Sequence, residues 1–453
     1  VTTISIIGGG ASGTLTAVHL LHASRGSDLR VVLHERGAAV ARGVAYGTTD
    51  ERHLLNVRSR DMSAFPDDPG HLVEWALGAG RPVDPLGFLP RATYAAYLDH
   101  LLAEADDGRL TVRTEEVADV LPAPVGPGYY VRGPQGTTRA DGVVLAYGNL
   151  PPRALSTTDG PLPETSWHLP SAWDTAALDA LADDATVVLV GSGLTAVDAA
   201  ITLLDGDTRR RVVMLSRNGL LPRAHLPLPC STSWVTQAPT GPLSADGLAA
   251  LVTAQVDRAR ERGVCWRSVV DGLRGTTQRL WLRLDTAERA RFVREHARGW
   301  EVLRHRMAPG VAERIRSYAD QGRLEVVGGG LTAVEDLGTQ ARVALAGGRS
   351  IEADAVVNCT GPLTDLDATA VPLLAALRRR RLLARDALGL GVACLPDGTV
   401  LDDQGLVVPD LHVVGPPRKG ALWETTAVPE IRTQAAELAE RLAARHVRVA
   451  VPA

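Results

Sequence analysis

The sequence predicts an α/β protein with two Rossmann-like dinucleotide-binding domains and a helical insertion domain. Three observations carry this. An apolar, β-branched run from Thr3 to Ile7 empties into Gly8-Gly9-Gly10-Ala11-Ser12-Gly13. A second run, Thr186 to Val190, empties into Gly191-Ser192-Gly193-Leu194-Thr195-Ala196. A continuous apolar run is the pattern of a buried parallel strand, and a glycine-rich turn leading from it into a helix is the dinucleotide fingerprint. The segments downstream of the two fingerprints also repeat. VVLHERG (31 to 37) aligns with VVMLSRN (212 to 218), GRLTV (108 to 112) with GRLEV (322 to 326), and ADGVVLAYG (140 to 148) with ADAVVNCTG (353 to 361).

In the first unit, a helix from about Thr14 to Ala23 and a strand from Leu29 to Glu35 complete a βαβ unit. GRLTV then opens a hairpin-like stretch that closes in a buried strand ending at Gly148. Residues 150 to 170, rich in proline, read as a linker. The second unit has the same order, ending at Gly361, but is interrupted at about 220 to 320 by a segment with helical spacing. Within it Ser244 caps a helix running to about Arg262, with Gly263 as its stop. A long helix is expected from Asp285 to Leu303 and another from Pro309 to about Ala319. The tail, 409 to 446, reads as a strand, a loop and a final helix. The expected domains are 1–155 with 355–453, 171–219 with 321–354, and the insertion 220–320.

The 453 residues allow two to three domains with sizeable cores. With 45% hydrophobic and 22% charged residues, disorder is excluded. A formal net charge of −4 gives no general affinity for nucleic acid or anionic membrane. Nowhere do 18 apolar residues run together, and the chain starts directly in an apolar strand, so a soluble cytoplasmic protein is expected, with homo-oligomerisation left open. Cys230, Cys265, Cys359 and Cys394 show neither a C-x-x-C pair nor metal-ligand spacing, so no metal and no disulfide-reductase chemistry is expected.

The fingerprints have a stated chemistry. Gly8 makes the tight turn, Gly10 admits a pyrophosphate to the backbone, and Gly13 lets the helix pack on the strand. Ala11 and Ser12 lie in the helix N-terminus that binds the phosphates. Glu35, followed by Arg36, ends the second strand where a carboxylate accepts hydrogen bonds from a ribose diol and repels a 2′-phosphate. In the second unit Gly191, Gly193, Leu194 and Thr195 form the turn. Ser216 and Arg217 replace Glu35 and Arg36, and a hydroxyl with a guanidinium suits a 2′-phosphate, favouring NADPH over NADH.

Two such units, the second nested in the first, resemble the two-dinucleotide-binding flavoprotein superfamily over nearly the whole chain. The resemblance implies FAD in the first site, NAD(P)H in the second, and a tail that returns to the FAD site, placing Gly148, Gly361 and Gly415 at strand ends near the cofactors. Phe88-Leu89-Pro90-Arg91 with Tyr97-Leu98 resembles the F-P-x-R…Y-L stretch of flavin monooxygenases. LAYGNLPP (145 to 152) is similar to their A-T-G-x-x-x-x-P linker, with Tyr147 in place of Thr. His168…Trp173 is one residue too long for their G-x-x-x-H-x-x-x-W type signature. Gly43 to Gly47 (GVAYG), His53 to Val57 (HLLNV), Met62 to Pro69 (MSAFPDDP) and Arg304-His305-Arg306-Met307-Ala308-Pro309 resemble a subgroup similar to the actinobacterial L-aspartate N-hydroxylases, which form nitrosuccinate.

That resemblance implies an FAD- and NADPH-dependent monooxygenase that uses O2, through a flavin C4a-hydroperoxide, to oxidise a small acidic amino acid such as aspartate. It implies cofactor contacts from His53, Asn56, Met62 and Trp423. Arginine suits a dicarboxylate because it binds carboxylates in parallel pairs and stays charged. Arg291, Arg294 and Arg298 share helical spacing, Arg304 and Arg306 follow them, and Arg58 and Arg60 follow HLLNV. Arg58, Arg291, Arg304 and Arg306 are the candidate substrate residues. Lys419, the single lysine, is added because it follows the last strand. No general base is evident. His225, Trp266 and Trp423 read first as packing residues. Two alternatives remain: an NADPH-dependent flavin dehydrogenase or oxidase without oxygen transfer, and a non-catalytic nucleotide-binding partner.

Overall fold

The computed structural model describes residues 1–158, 160–236 and 239–446. Two sheets organise it. The first has six strands, in the order Thr399–Leu401, Val407–Val413, Gly142–Leu145, Thr3–Ile7, Arg30–Glu35 and Leu110–Thr114, all parallel except the antiparallel edge pair. The second has five parallel strands, in the order His168–Leu169, Ala355–Asn358, Thr186–Val190, Arg211–Ser216 and Leu324–Gly328.

Successive side chains of a strand point to opposite faces, so an all-apolar strand must be covered on both sides. Ile4, Ile6, Val31 and Leu33 pack under the helices Ala11–Ala23 and Val428–His446. Ile7, Val143 and Leu145 face the other way, against a three-stranded antiparallel meander, Asp119–Pro122, Tyr129–Gly133 and Gly136–Ala140. The second unit repeats this. Val187, Leu189, Val212 and Met214 pack under the helices Leu194–Leu204 and Pro309–Asp320. Val188, Val190, Val213 and Leu215 face the meander Leu331–Asp336, Ala341–Leu345 and Ser350–Ala353.

Three expectations need correction. GRLTV and GRLEV do not open hairpins: Leu110–Thr114 and Leu324–Gly328 are the outermost parallel strands of their sheets, and the meanders follow them. The expected long helix from Asp285 is two, Thr286–Glu295 and Ala297–Arg304, interrupted at His296, whose ring is held 2.8 Å from Asp246 on the helix Ala245–Glu261. The helix Pro309–Asp320 belongs to the second core through Val311, Ala312, Ile315 and Tyr318 rather than to the insertion.

In each unit a long insertion leaves after the second strand, at residue 36 and at residue 217, and the chain returns to the third strand, in the second unit through the core helix Pro309–Asp320. The two insertions therefore emerge at equivalent places, at the carboxyl ends of the strands, where open α/β sheets hold their ligands. The first insertion docks on the helix Leu194–Leu204 of the second unit through Arg91, 2.6 Å from Asp198, and through His53, whose Nε2 lies 2.9 Å from the Thr202 hydroxyl.

Candidate active site

The first glycine turn is a backbone cradle. Gly8 has φ of +105°, and a Cβ on Gly13 would overlap the Gly8 carbonyl oxygen. The helix Ala11–Ala23 starts at Gly10 with no side-chain cap and no acidic residue in its first turn. Its leading N–H groups, including those of Ala11 and Ser12, are thus left for an anion. The Glu35 carboxylate is oriented by two backbone donors, Gly9 N–H and Gly37 N–H, each at 2.7 Å. The returning tail reaches this turn through Gly415, where a Cβ would collide with the Ser12 side chain. The Gly415 amide donates to Gln434 Oε1 (3.0 Å), and its carbonyl accepts from the Thr425 hydroxyl (2.8 Å). Gly148 (φ +68°), just past the strand Gly142–Leu145, faces open space.

The second turn has the same features. Gly191 (φ +135°) is pressed against the Cys359 carbonyl, while nothing lies within 4 Å of a Cβ built on Gly193. Helix Leu194–Leu204 likewise starts without a side-chain cap or an early acid, with Leu194 and Thr195 in its first turn. Gly361 (φ +86°) faces open space. Both turns fit a dinucleotide pyrophosphate, which needs bare backbone and an uncapped helix start. They differ at the ribose end. Ser216 accepts from the Ser192 hydroxyl (2.7 Å) and from Gly219 N–H (3.1 Å), and Arg217 beside it is exposed with no ion pair among the described residues.

Between the two insertions lies a cavity of about 230 Å³ lined by Arg58, Arg60, Arg267, Arg274, Arg304 and Arg306, with Asp61 and Asp271. Arg306 is buried and pairs with Asp271, but its Nε has no hydrogen-bond partner among the described residues. Arg304 is buried 3.6 Å from Glu424 and 3.5 Å from Glu430, with Nε and Nη2 making no hydrogen bond among the described residues. Arg274 grips Glu430 with two bonds, at 2.7 and 2.9 Å. Six guanidiniums thus face two aspartates lining the cavity and two glutamates behind it, leaving two positive charges in excess. Burial draws the Arg306 pKa below its ordinary value, and Arg304 and Arg267 push the same way. His225 is pulled down to about 3, first by burial and then by Arg306, so its imidazole is neutral. Its Nε2 lies 3.1 Å from the Asn56 carbonyl, which can only accept, so Nε2 carries the proton and Nδ1 keeps a lone pair.

Several candidate residues stand elsewhere. Arg291 is exposed on the outer side of Thr286–Glu295, 2.8 Å from Asp246 and 3.2 Å from Glu295; it neutralises the acids that could otherwise join His296 around a cation. Arg298 turns instead to the second turn, donating to Ser192 Oγ (3.3 Å) and the Leu220 carbonyl (2.6 Å). Arg58 lines the cavity but gives its hydrogen bonds to the carbonyls of Leu86, Leu226 and Pro227, so it holds the loop. His53 has both ring nitrogens engaged, by Thr48 and by Thr202. Met62 is buried in the first core and Arg36 is exposed. Lys419 pairs with Glu301 (3.0 Å) and lies 4.6 Å from the ring of Trp423. Trp423, at φ +64°, packs on Trp281 and Phe292. Arg267, Asp271 and Arg274 were not candidates from the sequence. Their spacing of i, i+4 and i+7 on the helix Trp266–Leu273 and its cap is a signal that could have found them.

Residues 5–150 match a family model described as FAD-NAD(P)-binding. No curated protein matches the chain by sequence. Solved structures share its fold end to end. The ornithine hydroxylase of Pseudomonas aeruginosa has a TM-score of 0.66 at 15% identity, covering 98% of this chain and 99% of its own. The ornithine N-hydroxylase of Kutzneria sp. 744, in a structure with reduced FAD, NADP+ and L-ornithine, has a TM-score of 0.58 at 15% identity and the same coverage. A bacillithiol disulfide reductase of Staphylococcus aureus has a TM-score of 0.55 at 12% identity, covering 98% of this chain and 100% of its own. The fold is thus one used both by flavin N-hydroxylases and by disulfide reductases. Chemistry has to be argued from the site.

Proposed function

We propose that the protein is an FAD- and NADPH-dependent monooxygenase that hydroxylates the amino group of a small acidic amino acid, L-aspartate first, giving N-hydroxyaspartate and then nitrosuccinate. FAD belongs in the first turn, with Glu35 at its ribose, and NADPH in the second, with Ser216 and Arg217 at its 2′-phosphate. Reduced FAD supplies the electrons that activate O2 for transfer to nitrogen, and NADPH restores them. In the first oxidation one oxygen atom goes to nitrogen and the other leaves as water.

The arginine cavity carries the substrate assignment. Its excess of two positive charges offsets the two negative charges of aspartate with a neutral amine. Arg306 and Arg304, buried with unpartnered N–H groups, hold the two carboxylates. The same field disfavours an ammonium, so it releases the amine proton to water and leaves the lone pair that oxidation requires. Neutral His225 offers Nδ1 to an amine N–H and orients the nitrogen without charging it. A site for the ammonium tail of ornithine or lysine would need excess negative charge instead.

The test is turnover of the FAD-loaded protein with NADPH and L-aspartate under ¹⁸O2. The expected result is an oxidised-nitrogen product carrying ¹⁸O. NADPH consumption that yields only hydrogen peroxide and unchanged aspartate overturns the reading.

A further inference from the structure

The two wall segments of the arginine cavity also bring together two thiols that lie 35 positions apart in the sequence. We propose that Cys230 and Cys265 form a peroxide-sensitive pair whose disulfide staples the loop 226–230 across the mouth of the arginine cavity. The loop is a wall shared by the arginine cavity and a neighbouring cavity of about 520 Å³; Cys230 lines both, and Cys265 lines the second. The two thiols thus share the wall of that second cavity, where each shifts the titration of the other, and both residues are partly accessible.

Their environments assign different parts. Cys265 is the N-cap of the helix Trp266–Leu273, and its sulfur lies 3.5 Å from Arg267 Nη1. A helix N-terminus and a guanidinium both favour a thiolate. Burial opposes this, but the Arg267 backbone N–H and side chain, with Cys230, hold the Cys265 thiol below its ordinary range. Burial and Cys265 keep Cys230 above its own. The other two thiols are poor competitors: burial raises Cys394 to about 11 and Cys359 further.

The reaction balances with hydrogen peroxide as oxidant. The Cys265 thiolate attacks one peroxide oxygen, the O–O bond breaks, and the departing hydroxide takes a proton to become water. The resulting sulfenic acid is attacked by Cys230, the S–S bond forms, and the second oxygen leaves as water. Two thiols lose two electrons and peroxide gains them. If the protein is the monooxygenase proposed above, the oxidant is at hand, because turnover without a fitting substrate releases peroxide beside this wall; the thiol chemistry itself does not depend on that reading. The helix that Cys265 caps carries Arg267 and Asp271 into the arginine cavity. Tying the loop to the start of that helix fixes the distance between the two walls, and the mouth can no longer open to admit an anion. Leaking turnover would thereby shut itself down until the bond is reduced.

The experiment exposes FAD-loaded protein to stoichiometric hydrogen peroxide, alkylates the remaining thiols and maps the peptides, while calorimetry measures succinate binding before and after. The expected result is loss of two thiols, a Cys230–Cys265 linked peptide, and alkylated Cys359 and Cys394. Succinate affinity should fall by about tenfold or more and return with dithiothreitol. C230S should bind succinate alike before and after peroxide. Peroxide that leaves both thiols alkylatable, or that oxidises Cys265 without linking it to Cys230, overturns the proposal, as does a linked protein that binds succinate unchanged. If the reduced protein binds no succinate, the dicarboxylate reading fails, and the linked peptide alone then decides the thiol pair.

Discussion

The two nucleotide units are built alike and finished differently. Each is a strand, a glycine turn, an uncapped helix, a second strand, an insertion, a third strand, a meander and a fourth strand. In the first, the second strand ends in a carboxylate locked by Gly9 and Gly37. In the second it ends in a hydroxyl tied to Ser192, beside an exposed guanidinium. On the proposed reading, the scaffold sets where a dinucleotide lies and the end of the second strand sets which dinucleotide. The insertions teach the same lesson on a larger scale. They leave the two sheets at matching points, so the residues at their bases, Asn56 to Asp61 from one and His225, Arg267, Arg304 and Arg306 from the other, meet in one cavity.

The largest expected effect separates the glycines of the two turns. Gly13→Ala puts a methyl group into the Gly8 carbonyl, and such overpacking against backbone costs about 3 kcal/mol or more. Thermal denaturation of the purified variant should show a markedly lower Tm and a colourless protein. Gly193→Ala meets nothing, so the variant should fold with bound FAD and lose only NADPH affinity, as titration of flavin reduction will show.

Next comes the cavity. Arg306→Ala removes a buried donor while leaving Asp271, which is more than half exposed, in contact with water. A hydrogen bond to a charged group is worth about 1.5–3 kcal/mol, so steady-state kinetics should show the aspartate KM raised by about 10- to 100-fold with FAD retained. Arg291→Ala, which breaks only exposed ion pairs, should leave KM unchanged. A matching rise in both variants would break the distinction between the cavity and the outer helix face.

At the ribose ends, Arg217→Ala should raise the NADPH KM by about three- to tenfold, an exposed charge being partly screened. It should leave the NADH KM and FAD content alone. Equal losses for the two nicotinamide cofactors would remove the proposed difference between the units.

A smaller effect concerns acid stability. His225 in the folded chain takes a proton only at about pH 3, and His305 and His412 at about 4, each held down chiefly by burial. In the unfolded chain all three take protons near 6.5. The unfolded state then binds more protons across that window, so their contribution to stability is complete above about pH 6.5 and is lost as pH falls toward 3–4. Denaturant titrations at pH 7 and pH 5 should show a lower midpoint at pH 5, and a smaller drop in His225→Gln.

The duplicated frame was legible because strands covered on both faces must be apolar throughout and because the turns require glycine where the backbone is crowded, at Gly8, Gly13 and Gly191. The site was legible only in part. Arg304 and Arg306 line the arginine cavity, but Arg291 shares its helical spacing with Arg298 and points elsewhere, since the interruption at His296 turns the second half of the expected helix. Arg267 and Arg274 share one helix face by their spacing, but that spacing does not say that this face docks on the other insertion. The Cys230 and Cys265 contact joins segments from a loop and a helix start, and no spacing rule announces it. Lys419, singled out because it follows the last strand, pairs with Glu301 in the helical insertion, and Trp423, read first as a packing residue, packs on Trp281.

The most direct test of the cavity's assignment is coupled turnover across amino acids of different charge. NADPH and O2 consumption by the FAD-loaded protein would be followed with L-aspartate, L-glutamate, L-ornithine and L-lysine, with assay of hydroxylamine, nitroso and nitro products. The account predicts oxidised nitrogen with aspartate and none with the two diamino acids. Oxidised nitrogen from ornithine or lysine, and none from aspartate, would contradict it.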